Sequence, residues 1–419
     1  MHTHATLGAN TPSDTTRVSA RSWMVFALTF GLMLLDFIDR QIVASMFPYL
    51  KAQWQLSDKQ LGALVSVVAL TVALGTIPIA VLADRFGRVK AVVIMALTWS
   101  GATLACGAAG SYSTLLLARA GVGLGEAGYG PAGAAILGGI FPKRLHSAVL
   151  GAFQAAAVLG GILGVVLGGW LAANYGWKAA FGIVGAPGIV LALCYLWVRD
   201  PAQNATQAAA VSFWSALKTG FALFKKPIVL WACVGGALQL FVMLSLYSWL
   251  PSFVNRSYGV APDKAGAQAA MVILLGALGS VAWGYAVDRL GRGDFSRRLR
   301  VVAVGSLLTG VFLLVGFSFL PVGQLQWAFL LAGGFCATCS IGAVPAVVME
   351  NADPSIRATA LALVAMAQNL FGQALGPFST GALSDTLGLG MALGVASSAA
   401  LLAAAAFVWA GIAHRRANA

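Results

Sequence analysis

Few folds are open to a chain that carries twelve apolar stretches in a row, most of them about 20 residues or longer. The stretches run roughly over 22–48, 58–83, 90–109, 113–140, 145–172 and 177–198, then 227–254, 264–287, 299–319, 323–349, 356–384 and 388–412. Each is long enough to cross the ~30 Å hydrocarbon layer of a bilayer as a helix and too long for an ordinary soluble core. The expected fold is an all-α polytopic membrane protein with twelve transmembrane helices. Composition agrees: 59% of the 419 residues are hydrophobic and 9% are charged, too little charge for a soluble domain.

A basic turn recurs. Asp84-Arg85-Phe86-Gly87-Arg88 closes the second stretch, and Asp288-Arg289-Leu290-Gly291-Arg292 closes the eighth, about 200 residues later. The repeat implies two pseudo-symmetric six-helix bundles, 22–198 and 227–412. A polar, Ala-rich linker, 199–226, joins them, and tails 1–21 and 413–419 flank them. In each turn the Asp can accept backbone N–H bonds at a neighbouring helix start, while the arginines can hold carboxylates or lipid phosphates. Asp84, Arg85, Arg88, Asp288, Arg289 and Arg292 are therefore candidates for a conformational latch, the plainer alternative being simple positive anchors. Glu350, at the end of the tenth helix, is expected to pair with Arg357 in a gate or loop.

The net charge of +13 would suit nucleic acid, but the basic residues fall mainly in short loops, so no nucleic-acid partner is expected. Assigning the tails and every second loop to the cytoplasm places 19 of the 26 Lys and Arg there and five on the other side, with Arg40 and Arg119 inside helices. That bias puts both termini in the cytoplasm. The first stretch runs on to helix length without a small-residue cleavage pattern and is expected to be retained. Cys336 and Cys339 share a spacing that zinc uses, but no matching His or second Cys pair follows, so no metal and no cofactor is expected.

Inside the helices the charged residues are Asp36, Asp39, Arg40, Arg119 and Glu126. An unpaired charge at mid-membrane costs roughly 2.5 to 3.5 kcal/mol even on the lowest scale, so partners or an aqueous cavity are required. Asp36, Asp39 and Arg40 share a sector of the first helix, and Arg119 and Glu126, nearly two turns apart, share a face of the fourth. Two charged stripes facing each other have the parts of a protonation switch, in which breaking a carboxylate–arginine contact moves the carboxylate across its titration range. A permanently paired structural network is the alternative, and Asp36 and Arg119 can also reach an interface by snorkelling.

Small residues mark close packing. Gly121, Gly123, Gly125, Gly128, Gly130 and Pro131 surround Glu126, and Gly160, Gly164 and Gly168 form a ladder on the fifth helix. Gly372, Gly376 and Pro377 give the eleventh a related pattern, compatible with rocking of one bundle against the other. The second half supplies neutral polar groups. Gln239, Ser245, Tyr247, Gln368, Asn369 and Gln373, with Phe241, Met243 and Trp249 as an apolar wall, either bind substrate or simply pack.

The paired turns and the twelve-segment plan resemble the major facilitator superfamily over essentially the whole chain. Within it, Asp39-Arg40, the run Arg119 to Gly128, Phe141-Pro142-Lys143-Arg144, Tyr175-Gly176-Trp177-Lys178-Ala179-Ala180-Phe181 and Arg199-Asp200-Pro201 resemble Spinster-like transporters over about 200 residues. The resemblance implies alternating access by a bacterial inner-membrane carrier, acting as a monomer. It implies a lysophospholipid or related anionic amphiphile as substrate and membrane lipid as surroundings. It also implies a proton as coupling ion at Asp39 and Glu126, with Arg40 as switching partner. The chain departs from that family at Asp36, where a neutral Asn is more usual, and the extra carboxylate leaves open how Arg40 is shared. Arg40, Arg119 and Glu126 with Gln239, Met243, Tyr247, Gln368 and Asn369 are the candidate substrate residues. A small organic anion such as a sugar acid, or a drug, is the alternative substrate, and a membrane receptor the alternative without transport. An enzyme is not expected: His2, His4, His146 and His414 all lie in tails or a loop, and no nucleophile–base pair is apparent. No phosphate-binding glycine loop of an ATP-driven pump occurs.

Overall fold

The computed structural model describes residues 18–198, 222–292, 294–353 and 357–418. Most of the expected N-terminal tail and linker falls outside the described residues. The described chain is nearly all helix: α1 Ala20–Trp54, α2 Asp58–Phe86, α3 Arg88–Ala108, α4 Tyr112–Glu126, α5 Tyr129–Ile140, α6 His146–Tyr175 and α7 Trp177–Tyr195 form the first half. The second comprises α8 Pro227–Tyr258, α9 Pro262–Leu290, α10 Phe295–Ser318, α11 Gln324–Cys336, α12 Ala343–Asn351, α13 Arg357–Gln368, α14 Leu375–Leu387, α15 Leu389–Ser397 and α16 Ala399–Asn418.

Local chemistry sets the starts of these helices. Ser57 and Gln60 close a reciprocal capping box on α2, and Ser111 and Thr114 do the same on α4. Pro227 and Pro262 open α8 and α9, where a missing N–H costs nothing. The Asp294 carboxylate accepts from the amides of Ser296, at 2.8 Å, and Arg297 at the start of α10.

Among the described residues, nine helical spans are long and apolar enough to cross a membrane. The other three expected crossings, the fourth, tenth and eleventh, are each interrupted. The fourth breaks between α4 and α5 at Gly128, whose φ of 101° suits a residue without a Cβ. The tenth breaks between α11 and α12, at the corresponding place in the second half, and the Gln239 amide donates 3.1 Å to the carbonyl of Ala337 there. The eleventh passes through a π-helical turn, Asn369–Ala374, between α13 and α14.

The glycine ladders lock helices together within each half. A Cβ on Gly160, Gly164 or Gly168 of α6 would lie 2.5, 2.6 and 2.7 Å from the carbonyl oxygens of Leu34, Ile38 and Ile42, one turn of α1 after another. On Gly372 and Gly376 it would lie 2.8 and 2.6 Å from the carbonyls of Ala237 and Phe241 on α8. The fifth crossing thus packs on the first, and the eleventh on the seventh, by the same small-residue contact. These ladders bind helices inside one bundle. The halves meet elsewhere, through α2 against α14 and α6 against α9, where Gly62, Gly381, Gly169 and Gly266 bring backbones together.

Candidate functional site

All five intramembrane charges gather between α1 and α4. Asp36, Asp39, Arg119 and Glu126 are each no more than 3% exposed. Burial of Asp36 and Arg119 corrects the expectation that either snorkels to an interface. The pairing also differs from the expected Asp39–Arg40 switch. Arg40 Nε donates to Asp36 Oδ1 at 2.8 Å and lies 3.0 Å from Glu126 Oε2. Asp39 turns the other way, because successive positions on a helix diverge by about 100°. It accepts from Thr103 Oγ1 of α3 at 2.8 Å and faces Arg119 Nη1 at 3.4 Å.

The cluster therefore has two arms. In one, a single Arg40 N–H stands between two carboxylates and is directed at Asp36, so neither Glu126 oxygen has a hydrogen bond among the described residues. In the other, Arg119 also donates from Nε to the Leu64 carbonyl and from Nη1 to the Asp39 carbonyl, while its Nη2 has no partner among the described residues. Fully ionised, three carboxylates and two guanidiniums carry a net charge of −3 + 2 = −1. One bound proton makes the cluster neutral, and a neutral cluster is far less costly inside a bilayer.

Beside the cluster lies a cavity of about 290 Å³ between the two halves. Arg40 and Arg119 form part of its wall in the first half, with Phe37, Gln41, Val65 and Val68. Met243, Tyr247, Ile273, Ser280, Thr338 and Gln373 supply the other wall. Of the second-half residues proposed from sequence for substrate, Met243, Tyr247 and Gln373 reach this wall. Others make contacts within the protein. Gln239, 1% exposed, bonds to Thr309 and the Ala337 carbonyl; the Asn369 side chain accepts from Gln373; Gln368 packs against Gly236. Trp249 donates to the Pro377 carbonyl at 2.9 Å and packs on Phe47.

At the basic turns, the side chains of Asp84 and Arg85 lie outside the described residues. Asp288 is exposed, and Arg289 donates 2.7 Å to the Tyr285 hydroxyl. Glu350 pairs with Arg298 at 2.8 Å, while Arg357 Nε donates to the Ala352 carbonyl, which corrects the expected Glu350–Arg357 pair. Arg298 lies closer because α10 starts beside the end of α12.

The densest ionic contact between the halves is at the opposite end from the chain termini, and sequence reasoning missed it. Asp58 at the start of α2, 2% exposed, receives Arg256 of α8 in two bonds at 2.6 and 2.8 Å, Lys51 of α1 at 2.5 Å and Ser384 of α14 at 2.5 Å. Asp385 caps α2 from the other half, accepting from the amides of Asp58 at 2.7 Å and Lys59 at 3.0 Å. One signal was available: an acid in the last turn of a helix opposes that helix's dipole, so Asp385 is better placed to serve another helix.

The major facilitator superfamily model matches residues 29–377. The chain is 28% identical over 386 residues to the cis,cis-muconate transport protein of Acinetobacter baylyi, covering 89% of this chain and 91% of that protein. It is 25% identical over 399 residues to human protein spinster homolog 3, covering 90% and 78%. The crystal structure of a bacterial homologue of the human lysosomal transporter Spinster superposes with a TM-score of 0.84, at 24% identity and with 95% and 98% of the two chains covered. Helical plan, paired halves and matches along most of the chain agree: this protein belongs to the major facilitator superfamily, as a Spinster-like member of its transporters.

Proposed function

We propose that the chain is a proton-coupled secondary transporter of a small organic carboxylate, working by alternating access in the bacterial inner membrane with both termini cytoplasmic. The observation that carries this reading is Arg119: a fully buried guanidinium on the cavity wall whose Nη2 has no partner among the described residues. A buried guanidinium donor is costly to leave unpaired, and a carboxylate is its natural acceptor. The muconate transporter among its relatives handles an anion of that kind. The coupling proton would reside on the Asp36–Arg40–Glu126 arm, where two carboxylates share one cation. Substrate at Arg119 competes with Asp39 for the same guanidinium, which gives the two arms a means of communicating.

A lysophospholipid or related anionic amphiphile is the second reading, favoured by the Spinster similarity. A cavity of about 290 Å³ is at the low end for drug-sized ligands and too small to enclose a long acyl chain with its head group, so the small anion is preferred. Uptake into proteoliposomes across a panel of carboxylates, sugar acids and lysolipids, with and without a pH gradient, tests both. Saturable, gradient-driven carboxylate uptake that Arg119→Gln abolishes is expected. Carboxylate uptake no greater than in empty liposomes, beside robust lysolipid transport, would reverse the assignment.

A further inference from the structure

We propose that the cavity reads both ends of its substrate: Arg119 takes the carboxylate, and the Tyr247 hydroxyl, fitted over Gly276, takes an oxygen at the far end. The transporter would then select small, apolar-bodied carboxylates bearing a distal hydroxyl or carboxyl oxygen. This inference rests on the carboxylate reading above and adds the selectivity.

Tyr247 is 8% exposed and lines the cavity, yet its hydroxyl makes no hydrogen bond among the described residues. The other polar side chains on its wall each donate a hydrogen bond within the protein. Thr338 Oγ1 donates 2.8 Å to the Gly276 carbonyl, Ser280 donates 2.7 Å to the Ala277 carbonyl, and the Gln373 amide donates to Asn369. Among the described residues, the Tyr247 hydroxyl is the side-chain hydroxyl on this wall that makes no hydrogen bond, with the Gln373 carbonyl oxygen as a further unused acceptor. A phenol so enclosed is less favourable than a phenylalanine unless something bonds its oxygen.

Its placement is specific. A Cβ on Gly276 would collide with the Tyr247 hydroxyl, so only glycine at this point of α9 leaves the phenol room to reach the cavity. Thr338, bonded to the carbonyl of that same glycine, ties α9 to the break between α11 and α12. The buried, unpartnered guanidinium donor is on α4 in the first half and the phenol on α8 in the second. Much of the rest of the cavity wall is apolar, including Val65, Val68, Met243 and Ile273. A ligand bonded at both ends would bridge the two halves, whereas a plain carboxylate would engage only one.

The test compares saturable uptake of plain alkanoates with that of their ω-hydroxy counterparts, over a range of chain lengths, in proteoliposomes of the full chain. Wild type should prefer the hydroxy acid at one chain length by about fivefold in KM, the worth of one net hydrogen bond. Tyr247→Phe should erase that preference, so that the hydroxy acid and the plain alkanoate of that chain length show the same KM. Gly276→Ala, which keeps the hydroxyl but displaces it, should weaken the preference in the same way. Wild-type uptake of both series with equal KM at every length, or a preference that survives in Tyr247→Phe, overturns the two-ended site and leaves the carboxylate reading standing. Saturable uptake of neither series overturns both.

Discussion

Arg256→Ala should release the end of the molecule opposite the termini, whereas Lys51→Ala should not. Both cations contact the same carboxylate, but they differ in what domain motion does to them. Lys51 and Asp58 belong to α1 and α2 of one half, so their 2.5 Å contact can survive separation of the halves. Arg256 and Ser384 belong to the other half and must leave Asp58 when that end opens. A charge-assisted bond contributes about 1.5 to 3 kcal/mol, and the 30% exposure of the Arg256 side chain reduces the value of its pair through solvent screening. About 2 kcal/mol of bias is therefore expected to vanish, shifting the open-to-closed ratio about 30-fold. Spin-label distances between α2 and α14 at that end, measured in nanodiscs, would read the shift directly. The Asp58→Asn variant should resemble Arg256→Ala, and high salt should narrow the gap between wild type and variant. Unchanged distance distributions in both variants, or an equal shift in Lys51→Ala, would refute the idea that the cross-half bonds hold this end closed.

Glu126→Gln should retain the fold but flatten the pH dependence of uptake, because it keeps the volume and removes a titratable group; uptake with an unaltered pH profile would make the cluster structural. Arg40→Ala should be harsher than Glu126→Gln, by about 3 to 5 kcal/mol of stability, since it leaves Asp36 and Glu126 buried without their shared cation; thermal unfolding in detergent measures this. Gly164→Ala should lower stability by about 1 to 3 kcal/mol by pushing α6 off the Ile38 carbonyl, with substrate KM little changed in the folded fraction. Asp288→Asn, at the basic-turn end, should shift the same spin-label distances oppositely to Asp58→Asn if the turns latch the other state; no shift would reduce the turns to positive anchors.

The apolar stretches located the crossings because a bilayer imposes the same length on each of them, and the repeated Asp-Arg turn exposed the two-fold plan because both copies close equivalent helices. Burial of charge was legible for the same reason: a carboxylate or guanidinium within such a stretch has no solvent to retreat to. Which cation each carboxylate meets was not legible. Helical phase puts Asp36 and Asp39 near one sector of α1, but only the positions of α3 and α4 turn Asp39 toward Thr103 and Arg119 and leave Arg40 to Asp36 and Glu126. The polar residues of α8 show the same limit. One sequence pattern offered Gln239 and Tyr247 equally, and the packed helices sent Gln239 to the broken backbone at Ala337 and Tyr247 to the cavity. Asp58, Arg256, Ser384 and Asp385 read along the chain as ordinary charges and hydroxyls near helix ends. Their network spans up to 327 residues of sequence and exists only because two bundles meet there. The sequence by itself determined what must be buried and in how many crossings, since those follow from the solvent. Only the tertiary structure decided the partners, because a pair interaction depends on distances that no single helix contains.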